Sequence, residues 1–318
     1  MPAIVTHNTF GDEAYELIDG AVGTSKDCIE AFLLGNQGPD PLFYAVADPS
    51  ISEWNTLGTT MHRERTDDVL AAFRNSLVLF SEREQAIAKA YALGFMCHYL
   101  LDCGVHPLVY AQQFALCDAG VPGLTRKDGS DVHATIECEF DEVVVCRYLH
   151  TDLRRFNPSK NILRADSHVL GIISTMYLYV ALTVFGQVPP ADLFKRSVRA
   201  FRASMTLFYS RNGIKRRLIV RAEERFRETS MFGSLSMRAR PRPESIYENA
   251  MHDVWIDPTT KAERTESFDD LFAATLARVK ECTELFLDEG FDAKAAQAIT
   301  HGLNFNGMPV GGALVTEN

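Results

Sequence analysis

Residues 81–107 read SEREQAIAKAYALGFMCHYLLDCGVHP. Ser81 and Glu84 stand at capping-box spacing, so a helix is predicted to start there and run through residue 102. Within an otherwise apolar run, His98, Asp102 and His106 recur every fourth residue. A helix stacks such positions on one face, with Cβ atoms about 5–6 Å apart. Two imidazoles and a carboxylate thus line a face that a core would fill with Leu. Gly104 is the expected break between Asp102 and His106, turning His106 away from the pair before it.

Working outward, the pattern is helical throughout. GTSKDCIEAFLLGN (23–36) has a Ser/Asp-rich start and a Gly stop. RTDDVLAAFRNSLVLF (65–80) places Val69, Leu70, Phe73, Leu77 and Phe80 on one face. Further helices are predicted over 131–149, 190–209, 213–226, 266–290 and 292–300. No stretch alternates with period two between hairpin turns. Residues 227–264, rich in Pro and Arg, read as irregular. The expectation is an all-α chain, a single compact multi-helix domain over 1–318 with the irregular segment folded across it. The longest apolar run, VLGIISTMYLYVALTVFG (169–186), carries Ser174, Thr175 and Thr183 and reads as a buried helix rather than a transmembrane segment.

With 46% hydrophobic and 23% charged residues, the 318-residue chain is globular in composition. Its formal net charge of -10 argues against a broad basic surface for nucleic acid or anionic membrane. The seven Cys include no CxxC pair, and the start has no basic n-region followed by an apolar h-region. A cytoplasmic protein with reduced thiols is expected. The clusters KRR (215–217) and RARPR (238–242) read as solvated faces, and Cys97 and Cys103 as small core residues.

The chemistry concentrates in the first 137 residues. His7 lies in THNTFG, Asp40 in the Gly/Pro-rich GNQGPDPLFY and His62 in TTMHRER. His98, Asp102 and His106 follow, then His133 and Glu137 in HATIE, again at i and i+4. Zinc takes His nitrogen and carboxylate oxygen, and a catalytic site keeps one position open for water. Eight candidate ligands exceed the needs of one tetrahedral ion and fit a cluster of two or three Zn2+ ions.

The order His7, Asp40, His62, His98-x3-Asp102-x3-His106, His133-x3-Glu137 resembles the zinc-dependent phospholipase C family, which is related to the zinc-dependent single-strand nucleases. The likeness spans residues 7–137 and is nearest to signal-free members that open THxxFG. It implies the all-α fold of that type. It also implies one zinc on Asp40, His62, His98 and Asp102, and a second on His106, His133 and Glu137. A third would use His7 and share Asp102 as a bridge. The three carboxylates would offset half the charge of three dications, leaving a net positive site for phosphate.

The expected activity is hydrolysis of a phosphoester, phospholipid first, by metal-activated water, with Asp40 orienting or deprotonating that water. A nuclease- or nucleotidase-like phosphoesterase is the alternative within the same chemistry, although no stable nucleic-acid partner is expected. A non-catalytic protein with structural zinc is the alternative outside it. An early acidic residue that helps hold choline in secreted members has no counterpart before His7, so choline specificity is not implied.

Overall fold

The computed structural model describes residues 3–120, 124–209, 212, 214–215, 237–238 and 240–311. At its centre lies α5 (Glu82–Cys117), a helix of 36 residues. The carboxylate of Glu84 accepts hydrogen bonds from Ser81 N (3.3 Å) and Ser81 Oγ (2.6 Å), closing the predicted start. Leu93, Phe95, Met96, Cys97, Leu100 and Leu101 are all buried, covering every direction around the axis. Such a helix needs neighbours on all sides. They are α1 (Ile4–Val22), α2 (Lys26–Gly35), α6 (Gly129–Arg147), α8 (Ser167–Phe185) and α10 (Phe268–Ala277).

The expected break at Gly104 does not occur: α5 runs on through Gly104 and Pro107 to Cys117. A Cβ at Gly104 would lie 2.4 Å from Thr275 Oγ1, so this glycine lets α10 close against α5. Proline in a helix interior costs about 3 kcal/mol or more. The buried neighbours Val105, Leu108 and Val109 outweigh that penalty here.

The remaining elements complete an all-α architecture. α3 (Asn55–Arg63) and α4 (Thr66–Asn75) precede α5, and α7 (Pro158–Asn161) follows α6. α9 (Leu193–Phe208), α11 (Val279–Leu287) and α12 (Ala293–Thr300) complete the described helices. A 3-10 turn continues α4 over Ser76–Leu79, and Arg278 divides α10 from α11, so two predicted helices are each split. α8 is long and apolar enough to cross a membrane by length and composition. In this fold its Val169, Ile173, Met176, Tyr177 and Val180 are buried, with α4, α5 and α9 against it.

Among its described residues the irregular segment holds a small hairpin, β1 (Trp255–Ile256) with β2 (Glu263–Arg264), too short for any alternation to register. Of the helix predicted over 213–226, only Ile214 and Lys215 fall among the described residues, and Arg216 and Arg217 of the KRR cluster lie outside them. Arg238 is no solvated charge: its guanidinium pairs with Glu142 (2.6 Å) and Glu139 (2.8 Å) on α6.

The N-terminal helix was not legible as a helix. α1 buries Ile4, Phe10, Ala14, Ile18 and Val22, but its N-cap, Ala3, sits at φ 43 and offers no side-chain acceptor. Asp141 on α6 serves instead: its Oδ1 accepts from Thr6 N and Thr6 Oγ1, both at 2.8 Å. Burial pushes the Asp141 carboxyl up to about 7 against these bonds. The cap lies 135 residues from the helix it caps.

Candidate metal centre

α5 brings His98, Asp102 and His106 into one buried row, and four other elements close around it. α1 supplies His7, and the 3-10 helix Asp40–Ala47 after α2 supplies Asp40. The last turn of α3 supplies His62, and α6 supplies His133 and Glu137 one turn apart. All eight sequence candidates therefore converge on one region.

Asp102 is the hub. Its Oδ2 faces His98 Nε2 (3.2 Å) and His62 Nε2 (3.7 Å). Its Oδ1 faces His7 Nε2 (3.1 Å) and His106 Nε2 (3.9 Å). Asp40 Oδ1 lies 3.1 Å from His62 Nε2 and 3.8 Å from His98 Nε2. Glu137 Oε1 lies 3.4 Å from His133 Nε2 and 3.5 Å from His106 Nε2. Three sets bring one ligand atom per residue within 4.8 Å of each other: His7 with Asp40 and His98; His62 with His98 and Asp102; and His106 with His133 and Glu137.

Four of the five opposite ring nitrogens point outward to acceptors, while His7 Nδ1 turns to His98 Nδ1 at 3.2 Å. His62 Nδ1 donates to Gly58 O (2.7 Å), His98 Nδ1 to Asn36 O (3.1 Å), and His106 Nδ1 to Phe305 O (2.7 Å). His133 Nδ1 meets Gln113 Oε1 at 3.0 Å. A carbonyl can only accept, so each of the first three rings carries a proton on Nδ1. That arrangement turns Nε2 inward and is the orientation metal-binding histidines need.

The inward atoms are orphans. Asp40 Oδ1, His62 Nε2, His98 Nε2 and Asp102 Oδ2 are buried and face only one another, without hydrogen-bond geometry, and Glu137 Oε2 is buried with no hydrogen bond among the described residues. Buried polar groups left this way cost stability unless something satisfies them. Nitrogen and oxygen donors of this kind, with their outer sides already bonded, fit zinc.

Electrostatics reinforce the fit. Burial works against ionising Asp102, but His98, His106 and His7 hold its carboxyl well below the usual range. Burial likewise opposes ionisation of Glu137, yet His133 and His106 keep it low. Burial alone would lower His106, but Asp102 and Glu137 push it up to about 9. His62 is raised against burial by Asp40 first and Asp102 second, and His7 chiefly by Asp102, whereas burial wins at His98 and lowers it.

Several supporting residues carried no obvious signal. Gly38, at φ 49, leaves room for His98: a Cβ there would lie 2.1 Å from the imidazole Cδ2. Tyr177 Oη donates to the Gly38 carbonyl at 2.8 Å, fixing the turn before Asp40. Gln113 lies seven residues after His106 on α5, so helical spacing could have flagged it. Phe305 and Asn306 had no such cue. His252 packs at the surface, with Nδ1 3.2 Å from Thr265 O. Among the described residues the cysteines form no disulfide; Cys97 is buried and Cys103 half-buried.

A family model described as zinc-dependent phospholipase C matches residues 6–170, more than half of the chain and every one of the eight converging residues. No curated protein and no solved structure matches the chain. An all-helical scaffold, clusters of His and carboxylate able to bind metal, and this match lead to one conclusion: the chain belongs to the zinc-dependent phospholipase C family.

Proposed function

We propose that this protein is a zinc-dependent phosphoric ester hydrolase that cleaves a phosphodiester of phospholipase C type. The observation that carries the reading is the set of orphaned, inward-facing ligand atoms whose outer partners are already in place. Asp40, His62, His98 and Asp102 would hold one zinc, and His106, His133 and Glu137 a second. His7 would hold a third, with Asp102 as the bridge; its two oxygens face different histidines, as a bridge requires. Bound zinc supplies Lewis-acid chemistry, lowering the pKa of water and polarising a phosphoryl oxygen.

The chain's own residues set the geometry. Gly58, Asn36, Phe305 and Gln113 fix the imidazoles; Asp102 and Glu137 hold negative charge between them. Asp40 acts first as a ligand and second as the group that orients the attacking water, since it lies between His62 and His98. His106, His133 and Glu137 would supply three ligands to their ion, one fewer than a closed structural site uses, and the His133 side chain is 15% exposed. That open side favours catalysis over purely structural zinc. Phospholipid is preferred to nucleic acid because of the family and the net charge of -10. Cysteines held outside disulfides, such as Cys97 and Cys282, suit a reducing compartment, and we propose a cytoplasmic location.

The test is metal analysis of purified protein with assays on choline and non-choline phospholipids, bis-p-nitrophenyl phosphate and single-stranded DNA. Zinc-loaded wild type should cleave a phospholipid, and His98→Ala and His133→Ala should each lose zinc and activity. Protein that takes up no zinc after reconstitution refutes the metal reading. Full zinc with no phosphoester cleaved would favour structural zinc.

A further inference from the structure

We infer that the C-terminal segment Leu303–Pro309 is a positioning element of the metal centre, seating His62 and His106 so that zinc is retained. The inference rests on the functional reading above. The segment, LNFNGMP, lies far beyond the family match at residues 6–170 and contributes no ligand of its own.

Its structure is closed upon itself. Leu303 bridges Pro309, Asn304 N donates to Met308 O (2.7 Å) and Gly307 N to Asn304 O (3.0 Å). The Asn304 side chain braces the turn, its Oδ1 accepting from Asn306 N (2.9 Å) and Met308 N (3.2 Å). Asn304, Phe305, Asn306 and Met308 are buried.

From this turn, contacts reach two helices that carry ligands. Phe305 N donates to the backbone carbonyl of His62 (3.1 Å), and Asn304 Nδ2 to that of Arg63 (3.3 Å), holding the end of α3. The Phe305 carbonyl accepts from His106 Nδ1 (2.7 Å), which leaves Nε2 to face Asp102 and Glu137. The Phe305 ring lies 4.9 Å from that of His62 and 5.7 Å from that of His98. Ordinary core packing explains the ring but not two main-chain bonds from one residue to ligand-bearing residues of different metal sets. Loss of a partner of this kind typically costs about 10- to 100-fold in metal affinity.

The test compares Asn304→Ala and Phe305→Ala with Phe286→Ala, which opens a cavity at a buried ring of α11 tilted against Phe291. Zinc release to a colorimetric chelator is followed well below each protein's melting temperature. The His106 Nδ1–H resonance is followed by proton NMR in zinc-loaded and zinc-free protein. Neither variant deletes the Phe305 N–H or carbonyl, but Asn304→Ala removes the side-chain brace of the turn and Phe305→Ala the ring that seats it, so both main-chain groups should lose their register. Expected are roughly 10- to 100-fold faster release from the two segment variants, a wild-type rate for Phe286→Ala, and a broadened or lost Nδ1–H signal in Phe305→Ala. Phe305→Leu, which keeps apolar volume without the ring, replaces Phe305→Ala if that variant does not fold. Wild-type release from both segment variants, or equal acceleration in Phe286→Ala, overturns the inference. Wild type that shows the Nδ1–H signal but takes up no zinc overturns the functional reading instead.

Discussion

α5 and the turn at Leu303–Pro309 meet at His106 and do opposite work. The helix offers three donor side chains on one face, yet nothing in a helix decides which nitrogen of a ring looks inward. The turn offers no donor to the metal, but its main chain decides that question for His106 and anchors the segment bearing His62. Ligation depends on side-chain chemistry, which is written residue by residue. Orientation depends on carbonyls and amides, which every residue possesses. The two regions should therefore fail differently when altered: one by losing ions, the other by holding them loosely.

The sharpest break of that comparison is Asp102→Asn on α5. The substitution keeps the shape but removes the charge that faces His98 and His62 on one side and His7 and His106 on the other. It should strip at least one zinc and lower kcat by about 10²–10³-fold, the scale of losing one preorganised electrostatic group. Metal content and turnover of the purified variant check it. Full zinc occupancy in Asp102→Asn would remove Asp102 from the hub.

Acidity tests the same helix without a substitution. In metal-free protein His106 is raised to about 9, so at pH 7 it is an imidazolium held by Asp102 and Glu137. Zinc binds the neutral ring, and uptake must expel that proton. Because the folded value lies above the unfolded one, this residue's contribution to metal-free stability is complete below about pH 6.5 and is lost as pH rises through about 9. Zinc affinity should move the other way, strengthening by about tenfold per pH unit for this one proton until about pH 9. Calorimetry in two buffers of different ionisation enthalpy should show proton release at pH 7 that shrinks at pH 9.5. Identical heats in the two buffers at pH 7 would mean that His106 is not displaced from a proton by zinc.

What could be read ahead of the fold follows from the same division. All eight converging residues were legible, because i and i+4 spacing on α5 and α6 is local and the ligand types are chemically distinctive. The all-α architecture was legible for the same local reason. Gly104 was misleading because helix propensity is a local quantity and burial against Thr275 is not. α1 escaped notice because its cap is a carboxylate on another helix. The Phe305 carbonyl was beyond reach altogether: it lies 199 residues from His106 and would be chemically the same on any other residue.

Gln113→Leu separates the two halves of the centre with a smaller effect. Gln113 Oε1 is the outer partner of His133, so its loss should loosen only the set His106, His133 and Glu137. Zinc should leave that set about 10- to 100-fold faster, while the ion on the His62 side stays at its wild-type rate. Two-phase release to a chelator would display this directly. Uniform loosening of every ion would mean that the centre responds as one unit, and the contrast between a local partner and the Leu303–Pro309 turn would collapse.

The smallest effect is expected at the other end of α5. Ser81 Oγ and Ser81 N both bond Glu84, so Ser81→Ala removes half of the capping arrangement at an exposed helix start. Comparable cap losses cost about 1 kcal/mol. The helix axis is fixed by buried neighbours such as Phe95, Leu100 and Leu108 rather than by its first turn. His98 follows the cap by more than four turns of helix, and the local fraying a lost cap allows dies out within the first turn. Ser81→Ala should thus lower the melting temperature slightly and leave zinc content and release rate at wild-type values. If this distant, exposed change loosened zinc as much as Asn304→Ala does, metal retention would follow global stability, and the special standing of the C-terminal turn would be lost.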